Sequence, residues 1–137
     1  MKIFLLFIAL LLLFVACGDD KDALKNSVLS MNEKCPIQEK HWTIDSLGIS
    51  NNGEIVYFCN TDQDADYFEV LKAKKDSIKN VLIDNLNNNK VENSMKLVKL
   101  CKQYNAGIVY KYYSNTTNDK VVIKIPIEKL LVDPAKE

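Results

Sequence analysis

Residues 42–60, WTIDSLGISNNGEIVYFCN, read as a β-hairpin, and this hairpin decides the fold class. Asn52-Gly53 supplies the positive backbone φ angles that a tight hairpin turn needs. Trp42-Thr43-Ile44 before it and Ile55-Val56-Tyr57-Phe58 after it are rich in β-branched and aromatic residues, which suit a pleated, half-buried surface. The parity of apolar positions changes between Ile44 and Leu47, which predicts a bulge near Asp45-Ser46. Further along, IVYKYYS (108–114) and KVVIKIPI (120–127) flank the polar loop Asn115-Thr116-Thr117-Asn118-Asp119 as a second hairpin. Val121, Ile123, Ile125 and Ile127 alternate with Val122, Lys124 and Pro126, the period of a half-buried strand. Pro126 lacks a ladder donor and therefore marks a sheet edge or a strand end.

Helical signals fill the rest of the mature chain. Leu24, Val28 and Met31 recur at i, i+4 and i+7, predicting an amphipathic helix over about 22–33 that ends before Pro36. Asp66, with Glu69 three residues on, predicts a helix start, and Leu71, Ile78, Leu82 and Leu86 carry an apolar face to the Asn87-Asn88-Asn89 break. A further helix over about 91–104 places Val91, Met95, Val98 and Cys101 on one side and stops at Asn105-Ala106-Gly107. The resulting order, α-β-β-α-α-β-β, predicts an α+β domain: an antiparallel sheet from two hairpins with helices packed on one face. A cystatin-like arrangement is one topology of that kind.

The chain has 137 residues, one domain's worth, with 18 basic residues, all lysine, against 18 acidic ones. Such a balance excludes a strongly basic nucleic-acid binder and an acidic disordered tail. Without arginine there is no side chain for bidentate grips on phosphate or carboxylate.

Before the domain, Lys2 precedes the unbroken apolar run IFLLFIALLLLFVA (3–16). As a helix the run spans about 21 Å, short of the roughly 30 Å hydrocarbon core and typical of a signal-peptide h-region. Phe14-Val15-Ala16-Cys17-Gly18 resembles the lipobox of bacterial lipoproteins, departing from it at Phe14, where leucine is commoner. The resemblance implies cleavage before Cys17, a diacylglyceryl group on its thiol and acylation of the new amino end. Two or three acyl chains anchor stably where one is marginal. It further implies a signal peptide over 1–16, a lipid-anchored linker over 17–22 and a single domain over 23–137. Gly18-Asp19-Asp20-Lys21-Asp22 also resembles lipoprotein export signals of Bacteroidetes, which direct proteins to the cell surface; a solvated linker is the alternative. The expected location is the bacterial envelope, with the outer membrane or cell surface favoured and the membrane contacted through the lipid on Cys17. Met31-Asn32, Cys35-Pro36, Val56-Tyr57 and Val109-Tyr110-Lys111-Tyr112 resemble small domains of exported bacterial proteins, which implies a fold class and no activity.

Asp62-Gln63-Asp64-Ala65-Asp66 imitates the start of a calcium loop. Tyr67 and Ala73 stand where an EF-hand needs glycine and glutamate, so an acidic helix start is the better reading. His41 is the single histidine, which excludes a multi-histidine zinc site, and no metal or cofactor is expected. A nucleophile pair of His41 with Cys35, Cys59 or Cys101 has no sequence context to support it. The three cysteines permit one disulfide in three pairings, or buried unpaired thiols. No Gly-rich phosphate loop or serine-hydrolase elbow occurs. Tyr110, Tyr112 and Tyr113 crowd one strand. Alternation sends part of that strip to the face away from the helices, where it can bind a protein or sugar rings; the alternative is cross-strand packing. The expected function is a non-catalytic binding or interaction module, with an inhibitor or immunity-type protein that blocks an envelope enzyme as the alternative.

Cells fed radiolabelled palmitate test the anchor. The label is expected in the native protein and absent from Cys17→Ser, and equal labelling of both would refute the lipobox reading.

Overall fold

The computed structural model describes residues 19–131; residues 1–18, which include the apolar run and Cys17, and residues 132–137 lie outside the described residues. In chain order the elements are α1 (Asp19–Asn32), β1 (Ile37–Gln38), β2 (Thr43–Ile49), β3 (Ile55–Thr61), α2 (Ala65–Ala73), α3 (Lys75–Asn88), α4 (Glu92–Gln103), β4 (Ile108–Ser114) and β5 (Lys120–Ile125). A short 3₁₀ turn, Ile127–Lys129, follows. The five strands form one sheet in the order β1-β2-β3-β4-β5.

Both expected hairpins are present. Gly53 turns the first at φ +79, and Ser50 N–H donates to Glu54 O at 2.9 Å to close it. Ile44 pairs with Cys59 and Ser46 with Phe58, which leaves Asp45 as the extra residue of a bulge. That bulge returns Leu47 to the same face as Ile44, as the parity of the sequence requires. The second hairpin pairs Ile108 with Ile125 through Tyr113 with Lys120. β5 is an outer strand of the sheet and ends one residue before Pro126, consistent with the proline's missing donor.

The two hairpins join through a parallel pair. Ile55 to Thr61 run in register beside Ile108 to Ser114, so the α+β sheet is antiparallel except at its centre. Parallel neighbours need a crossover of a dozen or more residues, and here α2, α3 and α4 provide it. A two-residue strand, β1, adds an antiparallel edge that the sequence reading did not include.

The helices also differ in detail from the sequence expectation. α1 starts at Asp19, so part of the segment read as a linker is its first turn. Asp64, not Asp66, caps α2: its carboxylate accepts from Tyr67 N–H at 3.1 Å, while Asp66 lies within the first turn. The expected helix over 66–86 is two helices, divided at Lys74 (φ −101, ψ 16). The polar stretch Lys72 to Ser77 offers nothing to bury there, and the bend lets Phe68 and Leu71 enter the core independently of Leu86. On α4 the buried side is Leu97, Val98 and Cys101, while Met95 is 52% exposed and Val91 is also exposed. The periodicity chose a stripe rotated from the one that packs, because Leu97 and Val98 lie at the centre of the true stripe and the chain starts α4 only after Val91.

One core cluster unites the helix-facing side of the sheet (Leu47, Ile55, Tyr57, Cys59, Ile108, Tyr110, Tyr112, Val121, Ile123, Ile125) with Val28, Phe68, Leu86 and Leu97 from the four helices. The helices therefore cover one face, as expected. Lys72 bridges Glu69 (2.7 Å) and Asp119 (3.5 Å), linking α2 to the loop of the second hairpin.

The rotated face of α4 gives a direct test by urea denaturation. Leu97→Ala is expected to cost about 2–5 kcal/mol, as for other buried leucines. Met95→Ala should stay within about 0.5 kcal/mol of the wild type.

Candidate interaction site

Alternation divides the tyrosine strip of β4. Tyr110 and Tyr112 point toward the helices and are only 8% and 5% exposed, so neither can meet a partner. Of the three candidate partner-binding tyrosines, Tyr110, Tyr112 and Tyr113, alternation therefore leaves Tyr113 alone on the open face. The two buried tyrosines belong to an aromatic row beneath the helices. Tyr110 stacks on Tyr57 (centroids 4.6 Å, 15° between planes) and lies 6.2 Å from Tyr112, which meets Trp42 at 4.4 Å. Trp42 in turn contacts Tyr67 at 5.3 Å. Cross-strand pairs of this kind stabilise the sheet itself. Burial pushes the phenols of Tyr57, Tyr110 and Tyr112 well up from their ordinary range.

Tyr113 points the other way. Its hydroxyl donates to the Asp45 carboxylate, which also accepts from Asn60 Nδ2. The bulge residue thus holds the tyrosine on the face of the sheet opposite the helices. Asn115 Nδ2 extends the network to Asn60 Oδ1 (3.2 Å) and Asp62 Oδ1 (3.0 Å). Asp62 and Asp64, read as a mimic of a calcium loop, therefore serve as a loop partner and a helix cap. Beside Tyr113 on the same face lie Phe58 and Val122, both half-buried, with Lys111 Nζ 5.7 Å from the Phe58 ring centroid, within cation–π reach. Lys124 pairs with Glu54 at 3.4 Å at its margin. Val56 and Val109 are buried between these side chains. Among the described residues no helix covers this face. It carries aromatic, aliphatic and lysine side chains.

The groups that a catalytic reading would use are dispersed. His41 is exposed in the turn before β2, and no hydrogen bond joins it to a thiol among the described residues. Cys35, Cys59 and Cys101 are free thiols. Cys35 reaches only Met31 O at 3.8 Å, and its peptide bond to Pro36 is cis. Cys59 and Cys101 are buried in the core, and burial pushes each thiol up to about 12. No group of three or more metal-ligating side chains occurs among the described residues. Cys17 lies outside them.

A concave feature on the helix side escaped the sequence reading. Between α1 and the outer edge of β2 runs a groove of about 460 Å³ with Val28, Leu29, Leu47 and Ile49 in its walls. The apolar period of α1 foretold Val28 as core, but nothing in the sequence foretold that Leu29 and Ile49 would face each other across an open edge.

No protein-family model matches the chain, and no curated protein matches it. Two solved structures share its fold. One is a Pseudomonas aeruginosa protein classed as secreted, with a TM-score of 0.61 and 13% identity over 81% of this chain and 92% of that one. The other is the pilotin of the type 2 secretion system of Vibrio vulnificus, with a TM-score of 0.54 and 7% identity over 85% of this chain and 99% of that one. At such identities the likeness is one of fold.

The buried thiols predict a pH dependence. The unfolded chain releases these protons near the ordinary thiol value of 9.0, whereas the native state retains them to about 12. The native state then binds more protons, so stability falls as pH rises through that window. Thermal melts from about pH 8 upward should show a falling midpoint, with a shallower fall in Cys59→Ala; equal slopes would refute the assignment to Cys59.

Proposed function

We propose that this chain is a lipid-anchored protein of the bacterial cell envelope, at the outer membrane or cell surface, that works as a non-catalytic module binding a protein partner. The observation that carries the reading is the uncovered sheet face, where Tyr113, Phe58 and Lys111 stand together on the two central strands. Aromatic side chains are frequent anchors of protein interfaces. The Asp45 bond fixes the Tyr113 ring in the free protein, which lowers the entropy lost on binding.

Two further facts support the reading. Phe14-Val15-Ala16-Cys17 carries the lipobox resemblance, and the fold is shared with a protein classed as secreted and with a pilotin. The non-catalytic reading is supported by exposed His41 and by thiols whose burial disfavours the reactive thiolate.

A photo-crosslinking amino acid placed in cells at position 111 tests the surface, with position 81 on α3 as the control. A discrete protein adduct is expected from 111 and not from 81, and Tyr113→Ala should diminish it. The Tyr113→Ala fold should lose only about 1 kcal/mol, the scale of one hydrogen bond. Adducts of equal yield from both positions, or none from 111, would overturn the proposal.

A further inference from the structure

The open face of the sheet carries unbalanced positive charge. The register of β3, β4 and β5 sets Phe58 beside Lys111 and Lys111 beside Val122. Tyr113 stands beside Lys120 one row along, and Val109 beside Lys124 one row back. Lys120 and Lys124 therefore flank Val122 on β5, about 13 Å apart by strand rise, and Lys111 is level with the gap between them. All three lysines are exposed, while Phe58, Tyr113 and Val122 are half-buried. Lys111 lies within about one Debye length, roughly 10 Å at 0.1 M salt, of both other lysines, so the three charges add their fields.

The acids around this face are already committed. Asp45 accepts from Tyr113 and Asn60, Asp62 accepts from Asn115, and Asp119 pairs with Lys72 of α2. Glu54 reaches Lys124 at 3.4 Å. No carboxylate among the described residues pairs with Lys111 or Lys120. The Lys111 ammonium instead rests against the Phe58 ring. An exposed pair such as Lys124 with Glu54 contributes little and exchanges readily for another acid.

We propose that the occupant of this face is an acidic segment of the partner protein. One of its carboxylates meets Lys120 and Lys111, a second meets Lys124, and an apolar side chain between them covers Val122 and Phe58. This inference rests on the reading of the open face as the binding surface and deepens it by naming the chemistry of the partner. Charge complementarity selects the sign, since an acid relieves the repulsion among the lysines. Spacing selects the pattern: an extended segment presents residues i and i+4 on one side about 13 Å apart, the separation of Lys120 and Lys124, with residue i+2 above Val122. The apolar centre favours such a segment over phosphate headgroups, which would leave Phe58 and Val122 uncovered. The chain also lacks arginine, the side chain that grips phosphate with two bonds.

The test has two arms. In cells, a photo-crosslinking amino acid at position 122 leaves the three lysines intact. Its protein adduct should fall several-fold in the double variant Lys111→Gln, Lys120→Gln and recover in Lys111→Arg, Lys120→Arg. An adduct indifferent to the lysines would keep this face as the binding surface and overturn its acidic occupant, whereas no adduct at all would overturn both readings. In vitro, the full chain in nonionic detergent, labelled with ¹⁵N, is titrated with a peptide that repeats glutamate-serine-valine-serine. The amide signals of Lys111, Lys120 and Val122 should shift. A copy with glutamine for glutamate should bind about tenfold more weakly at about 20 mM salt, and the gap should close as salt rises toward about 0.5 M. A short-chain phosphatidylglycerol should leave those signals in place. Equal affinity of the two peptides, no shift with either, or lipid shifts as large as those of the acidic peptide would each overturn the proposal.

Discussion

Strands that run in the same direction cannot be joined by a tight turn, and the pairing of β3 with β4 imposes that limit on the whole chain. It forces α2, α3 and α4 into the connection and puts both hairpins back to back in one sheet. It also places at the centre the two strands best able to be buried on both faces, IVYFCNT and IVYKYYS. Val56 and Val109 are buried on the open side, and Ile55, Tyr57, Ile108 and Tyr110 on the helix side. The stacked rings of Tyr57 and Tyr110 hold the pair together where neither hairpin's own turn can.

From that centre the two faces acquire different chemistry. The helix side takes the aromatic row and the two buried thiols, and burial makes Tyr57, Tyr110, Tyr112, Cys59 and Cys101 resist ionisation. The open side keeps the charged and amphipathic members of the same strands, and the bulge at Asp45 supplies the carboxylate that orders them. An extra residue in β2 thus serves two ends at once: it keeps Leu47 in the core and turns a carboxylate toward Tyr113.

Local chemistry made the hairpins, the bulge and the edge role of β5 legible, since Asn52-Gly53, the parity change at Leu47 and Pro126 each act over a few residues. The direction of the central pair was not legible, because an apolar strand reads the same whether its neighbour runs with or against it. The division of the long helix at Lys74 was hidden for a related reason: Leu71, Ile78, Leu82 and Leu86 keep helical spacing across the break, and only the separate burial of Phe68 shows that two axes are needed. Of the β4 tyrosines, alternation correctly required that the strip be divided, but which members fell inside depended on which face the helices took. Asn32 carried no signal of the contact it makes. An asparagine near a helix end is ordinary, and its pairing with Leu47 arises from tertiary approach alone.

The position of Trp42 has an optical consequence. It is the only tryptophan of the chain, and its ring lies against Tyr112 of β4 and Tyr67 of α2. One indole therefore touches three separate parts of the fold: the start of the first hairpin, the central sheet and the first helix of the crossover. Light absorbed by each neighbouring phenol passes to it most efficiently while that ring stays in contact. The molecule carries its own emissive gauge of whether its two halves are assembled, placed at their seam.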